Sequence, residues 1–207
     1  LAKTMRRLGR TRYMDDRGLV EFTPVQEFGS FNTEPFSQLI GPIIQAKKDL
    51  VTTSCIIKDK GQWRLFFSDG YGLITTFKDN KSLSGFSTMQ YPVIPRCSCN
   101  GEDASGFEVL FFGADDGYLY QMDKGTSFDG VAVTSTLALT YSHQGYPAYD
   151  KAYRKVTMET DGSVGTTIKY NPTYDYSSGR TPSGITISKD ITGGGTLWNA
   201  ANWNAPR

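Results

Sequence analysis

The sequence predicts an all-β protein: partial β-propeller-like blades followed by a β-sandwich-like region, with very little helix. Three observations carry this. Short apolar and β-branched runs recur, and several close on Asp-Gly, a cheap hairpin turn. Two of these runs are near copies. Arg64-Leu65-Phe66-Phe67-Ser68-Asp69-Gly70-Tyr71 aligns with Val109-Leu110-Phe111-Phe112 and then Asp116-Gly117-Tyr118, with Leu65 and Leu110 standing 45 residues apart. Helical periodicity is confined to one window.

The elements follow in chain order. Asp16-Arg17-Gly18-Leu19-Val20 is a third, weaker copy of the turn, 52 residues before Gly70. Residues 35–50 hold the helical window, with Phe36, Leu39, Ile40, Ile43 and Ile44 on one face. Gly41-Pro42 interrupts it, because proline lacks the donor and clashes with the preceding turn, so one or two short helical turns are expected. Residues 52–58 are rich in β-branched side chains, 62–67 end in Leu-Phe-Phe, and 73–77 read as the return strand after Ser68-Asp69-Gly70. Residues 107–112 repeat the theme, Asp115-Asp116-Gly117 turns the chain, and 118–122 return. A repeat of this period, built of hairpins, is the pattern of propeller blades, small sheets that complete their core by stacking. Two and a half blades do not close a ring.

The texture changes near residue 126, so we divide the chain into a blade-like region, 1–126, and a sandwich-like region, 127–207, incomplete at its end. In the second region residues 131–141 alternate, with Val131, Val133, Leu137, Leu139 and Tyr141 against Ala132, Thr134, Thr136, Ala138 and Thr140. Residues 153–160 precede Asp161-Gly162 and a partner strand at 164–170, a meander of longer strands. Gly193-Gly194-Gly195 reads as a loop or hinge.

The 207 residues carry a formal net charge of +1, so no global field draws in nucleic acid or an anionic surface. The local exception is Lys3, Arg6, Arg7, Arg10 and Arg12, which precede the first acid, Asp15. They fit a solvated or chain-internal segment, or a contact with phosphate or an acidic partner. No apolar run approaches the ~18 residues of a membrane-spanning helix, and no membrane partner is expected. The chain starts at Leu1 without an apolar leader and ends soon after Trp198 and Trp203, which reads as a processed product or a piece of something longer. Three cysteines make no closed disulfide set, which fits folding in a reducing cytoplasm.

Candidate chemistry is sparse. His143 is the one histidine and sits in a loop; Gly125-Thr126-Ser127-Phe128-Asp129-Gly130 lacks the second glycine of a nucleophile elbow. Cys55, Cys97, Cys99 and His143 are zinc-type ligands, but Cys-x-Cys is tighter than the usual spacing. Asp115, Asp116, Asp123 and Asp129 cluster around glycines as hard-cation ligands would, yet Asp-Gly is also plain turn chemistry. Glu102, Asp103, Glu108 and Asp115 are acids of the kind glycoside hydrolysis uses in pairs, with nothing in the spacing to bring two together. Tyr146, Tyr149, Tyr174 and Tyr176 could contact a sugar or a protein partner. No catalytic, cofactor-binding or metal-binding residue is assigned, and no cofactor is expected.

The run from Arg64 to Gly70, then Gly85-Phe86, then Glu108-Val109-Leu110-Phe111-Phe112-Gly113-Ala114-Asp115-Asp116-Gly117-Tyr118-Leu119-Tyr120-Gln121-Met122-Asp123-Lys124-Gly125-Thr126-Ser127-Phe128-Asp129-Gly130, resembles a tailed-bacteriophage structural family. Lys151-Ala152-Tyr153-Arg154-Lys155-Val156 and Tyr174-Asp175-Tyr176 extend the likeness, which covers residues 13–180. These are tail or head-to-tail proteins of nozzle, hub or DNA-stabilisation type, with propeller-like and sandwich regions. The resemblance implies a non-enzymatic virion protein, made in the host cytoplasm and assembled with copies of itself in a hexameric ring. It also implies neighbouring tail or portal and adaptor proteins, and passing contact with genomic DNA. The alternative is a glycan- or receptor-binding propeller or adhesin module. A glycan-cleaving tail enzyme is a third reading, which needs two acids converging in a cleft.

Overall fold

The computed structural model describes residues 3–24, 31–79, 82–125, 127–143, 145–146, 148–149, 154–155, 157–158, 166–172 and 187–191. The chain divides into two units, Leu1–Thr134 and Ser135–Arg207. The 126/127 boundary read from texture falls inside the first unit.

The protein is all-β, and its first unit holds three consecutive antiparallel meanders. The first is β1 (Arg6–Leu8), β2 (Arg10–Asp15), β3 (Gly18–Pro24) and β4 (Phe31–Pro35). The second is β5 (Val51–Ile57), β6 (Gln62–Phe67), β7 (Tyr71–Lys78) and β8 (Ser82–Gln90). The third has only β9 (Pro95–Glu102), β10 (Glu108–Ala114) and β11 (Leu119–Gln121). The meanders begin at Arg6, Val51 and Pro95, 45 and 44 residues apart, and their first strands β1, β5 and β9 are spatial neighbours. That is the arrangement of propeller blades; the three do not close into a ring.

The residue pattern explains the stacking. β6 reads Gln-Trp-Arg-Leu-Phe-Phe and is buried on both faces. Trp63, Leu65 and Phe67 pack with Leu8, Met14 and Leu19 of the first blade, while Phe66 packs with Leu110, Phe112 and Met122 of the third. A strand sandwiched between sheets needs apolar side chains on both sides, which is why it reads as a continuous run. Ile44 adds to the first core from the helix α1 (Gly41–Lys47).

Turn glycines match their expected roles. Gly70 and Gly117 lie at φ +77° and +86°, and a Cβ on Gly70 would come within 2.8 Å of the Tyr91 carbonyl oxygen. Pro42 does not break the helical window. It occupies the first turn of α1, where a missing N–H costs nothing, and a 3-10 turn at Gln38–Ile40 precedes it.

Beyond the third blade the strands are short. β12 (Ser127–Phe128) pairs with β13 (Val131–Ala132), and in the second unit β14 (Thr166–Tyr170) pairs with β15 (Ile187–Ile191). The strand expected over 131–141 stops at Ala132, since nothing among the described residues pairs with 133–143. Alternation makes a chain suited to a ladder but does not supply the partner strand. The partner expected for 164–170 at 153–160 is not a strand where described: Arg154, Lys155, Thr157 and Met158 lie outside any ladder. The remainder of that stretch, Gly193-Gly194-Gly195 and Trp198 and Trp203 lie outside the described residues. No helix among the described residues is long and apolar enough to cross a membrane.

Candidate functional site: the seams between blades

The polar chemistry of the first unit concentrates where blades meet. β5 is an edge strand of its own sheet, so its outer backbone groups need partners from elsewhere. Side chains supply them. The Ser54 carbonyl accepts from Arg6 Nε at 3.0 Å and Nη2 at 2.7 Å, and from Ser98 Oγ at 3.0 Å. Ser54 Oγ donates to the Lys3 carbonyl at 2.8 Å. Thr52 Oγ1 donates to the Pro95 carbonyl at 2.6 Å, Thr53 and Ser98 hydroxyls meet at 3.1 Å, and Asn100 Nδ2 donates to the Ile56 carbonyl. Ser54 thus joins all three blades. Capping an edge with hydroxyls and an arginine also blocks it as a template for stray strands.

Two buried arginines hold the seams further out. Arg12 on β2 is 1% exposed. It donates to Glu21 at 2.7 Å and to the Leu8 carbonyl at 2.6 Å, and its guanidinium lies 3.7 Å over the Phe77 ring of the second blade. Burial lowers the Arg12 pKa, against the opposing pull of Glu21. Arg64 on β6 reaches Asp123 through two bonds, Nη1–Oδ1 at 2.9 Å and Nη2–Oδ2 at 2.8 Å. Lys60 Nζ donates to the same Oδ2 at 2.6 Å, and Gln62 Oε1 accepts from Arg64 at 2.7 Å. Burial alone would raise Asp123, but hydrogen bonds and charge from Arg64 and Lys60 outweigh it and hold the carboxyl below its usual range. Each arginine stands on the second strand of its blade and touches the next blade.

Three cations of the basic N-terminal stretch find partners within the chain, and of the five only Arg12 is buried. Arg6 serves Ser54, while Arg10 and Arg12 share Glu21; Lys3 and Arg7 stay exposed. Of its alternative readings, the chain-internal one describes these contacts.

The acidic candidates are dispersed into separate tasks. Asp115 Oδ1 accepts from Ile94 N–H at 3.0 Å; Asp116 accepts from Tyr118 N–H at 3.0 Å and Tyr120 O–H at 2.7 Å. Asp123 holds Arg64, and Asp129 turns the β12–β13 hairpin at φ +47°. Among the described residues no group of three or more His, Cys, Asp or Glu converges to hold a metal ion. Cys55 is buried, whereas Cys97 and Cys99 occupy alternate, exposed positions on β9. His143 Nδ1 accepts from Gly145 N–H at 3.1 Å within its own loop, and Ser127 Oγ accepts from Gly130 N–H at 3.2 Å.

One pair of acids does come together. Glu102 and Glu108 face each other across β9 and β10 in an open groove of about 530 Å³, lined also by Arg6, Arg7, Lys58 and Asp59. Glu108 is committed as an acceptor: its Oε2 takes the Lys58 and Asp59 N–H groups at 2.7 and 3.2 Å, and its Oε1 takes Asn100 Nδ2 at 2.7 Å. An acceptor so surrounded by donors caps the β5–β6 turn. Asp103 caps its own turn, accepting from Ser105 and Phe107 N–H at 2.8 and 2.9 Å. Tyr146 and Tyr149 form an exposed edge-to-face pair with ring centres 6.2 Å apart, and Tyr174 and Tyr176 lie outside the described residues.

The seam residues were not legible in the sequence. Thr52, Thr53, Ser54, Ser98 and Asn100 are ordinary strand and loop types, and only the blade repeat could have flagged the first strands as neighbours. Comparison with known protein families, with curated proteins and with solved structures returns no match.

Proposed function

We propose that the chain is a structural virion protein of a bacteriophage tail or head–tail junction, of nozzle or hub type. It works through symmetric protein–protein interfaces, as a ring of copies with tail, portal or adaptor neighbours and passing contact with the genome, and it catalyses nothing. One observation carries the reading. Leu65-Phe66-Phe67 and Leu110-Phe111-Phe112 are equivalent in the repeat, and Leu65 and Leu110 each face the preceding blade. Phe66 faces forward and is fully covered by the third blade, whereas the equivalent Phe111 is half-buried, and Leu119 beside it is 70% exposed. The forward face of the third blade is apolar and open, and a further blade, from this protein or a neighbour, is what such a face buries. The residues that build these two blades are also those that carry the resemblance to the tail family.

The glycan- or receptor-binding reading draws on the exposed Tyr146–Tyr149 pair, since rings beside polar loops bind sugars and proteins alike. Native mass spectrometry of the full chain, with a glycan array on the same sample, separates the two. A closed oligomer without glycan binding supports the structural role. A monomer that binds glycan, and loses it in Tyr146→Ala/Tyr149→Ala, overturns it.

A further inference from the structure

The first two blades have four strands each and the third has three. We propose that its fourth strand is supplied by residues 131–140 of a second copy of this chain, laid along the open edge of β11. The inference rests on the reading that copies assemble, and adds how they do so.

The edge comes first. Ala114 N–H bonds the Tyr118 carbonyl, and Met122 N–H bonds the Leu110 carbonyl. In an antiparallel ladder bonding alternates, so Leu119 and Gln121 turn their N–H and C=O groups away from β10. An uncapped edge of this kind accepts a strand. The corresponding edge of the second blade, that of β7, is paired by β8; for β11 the described residues offer no such partner.

The strand comes second. Past Ala132 the chain lacks a ladder partner among the described residues, yet it goes on alternating through Thr140 with one interruption, at Ser135. One side carries Val131, Val133, Ser135, Leu137 and Leu139, and the other carries Ala132, Thr134, Thr136, Ala138 and Thr140. Leu137 and Leu139 are 84% and 82% exposed. Residues 131–142 contain no charge, and neither does β11, Leu-Tyr-Gln. A charged strand would resist burial against this edge; this one does not. Laid beside β11, its apolar side extends the open Phe111 and Leu119 face, so a leucine pair now in water gains a surface to cover. The segment also joins the two units, since the division falls between Thr134 and Ser135. Donor and acceptor are different surfaces, so the contact is head-to-tail and propagates around a ring.

Two variants of the full chain separate donor from acceptor. Gln121→Pro removes one outward N–H from the edge without touching the β10 ladder. Leu137→Asp/Leu139→Asp places charge on the donated strand. Mass is followed by sedimentation across a range of concentrations, and backbone protection by hydrogen exchange. The proposal expects wild-type chain to assemble with residues 133–140 protected, each variant alone to be monomeric, and an equimolar mixture to give a species of two chains and nothing larger. In that mixture one copy can only donate and the other can only accept. Assembly that persists in both variants with 133–140 exchanging freely overturns the strand donation and leaves the ring reading standing. Protection of 133–140 in a monomer overturns it too, because the strand then pairs within its own chain. A wild-type monomer with free exchange at 133–140 overturns both.

Discussion

Arg64 and Asp123 meet through two parallel hydrogen bonds of 2.9 and 2.8 Å, and the pair ties the second blade to the end of the third. The arginine side chain is 5% exposed and the aspartate 30%. A guanidinium so deeply placed is tolerable only while its fork is filled, which makes this contact a fastener of the blade array rather than a surface ion pair.

Removing one partner is therefore expected to cost more than removing both. Asp123→Ala leaves Arg64 buried with Gln62 and the weak Met122 sulfur as acceptors, and should destabilise the fold by about 2–3 kcal/mol. Arg64→Met/Asp123→Ala should recover at least half of that, since an unbranched apolar chain fills the space beside Cys55, Tyr91 and Met122. Urea denaturation of the three chains measures it. Equal losses for the single and double variants would mean that the pair acts only through packing.

The same carboxylate sets an acid limit. Asp123 has a lowered pKa in the fold, so its contribution is complete above its unfolded value of about 4 and is lost as pH falls through the folded value. The wild-type melting temperature should hold from neutral pH to about pH 5 and drop below about pH 4, with a shallower drop in Asp123→Asn. Parallel curves for the two chains would assign the acid loss to other carboxylates.

The thiols should divide into two classes. Burial pushes Cys55 up to about 12, against the opposing charges of Arg64 and Arg6, while Cys97 and Cys99 are exposed. A thiol reagent should therefore titrate two groups quickly in the native chain and the third only on unfolding. The raised value has a second consequence. Unfolded Cys55 loses its proton near pH 8.5 and the folded thiol does not, so stability declines as pH rises above about 8.5. In Cys55→Ala that part of the alkaline decline should vanish.

Arg12 does at the first seam what Arg64 does at the second, through Glu21, Leu8 and Phe77. Lysine keeps the charge but not the planar fork or the stacking, so Arg12→Lys should cost about 1–3 kcal/mol. Thermal denaturation of Arg12→Lys beside Arg10→Lys, whose parent is exposed, tests the distinction. Matching melting temperatures would contradict it.

The blades were partly legible in the sequence. Strands β6, β7 and β10 announce themselves because they carry apolar and β-branched runs and flank Asp-Gly turns: β6 and β10 run into one and β7 leaves one. β8 and β9, Ser-Leu-Ser-Gly-Phe-Ser-Thr-Met-Gln and Pro-Arg-Cys-Ser-Cys-Asn-Gly-Glu, do not. They are largely exposed strands, so hydroxyls, glycines and charges replace the apolar signal. The first blade hid for a different reason: Arg10 and Arg12 alternate along β2 and read as a charged segment, although Arg12 is buried. Cys97 and Cys99 drew attention as ligands because their spacing is close, and the same spacing is simply one face of a strand. Seam contacts such as Ser54–Ser98 depend on neighbours 44 residues apart and leave no local trace.

Electron cryomicroscopy of the native assembly that contains this chain tests the central claim most directly. The account predicts density for the three blades repeated around the tail axis, with the Phe111 and Leu119 face covered by a neighbour. Particles in which the chain is absent from the axis, or sits as an isolated copy with that face in solvent, would contradict it.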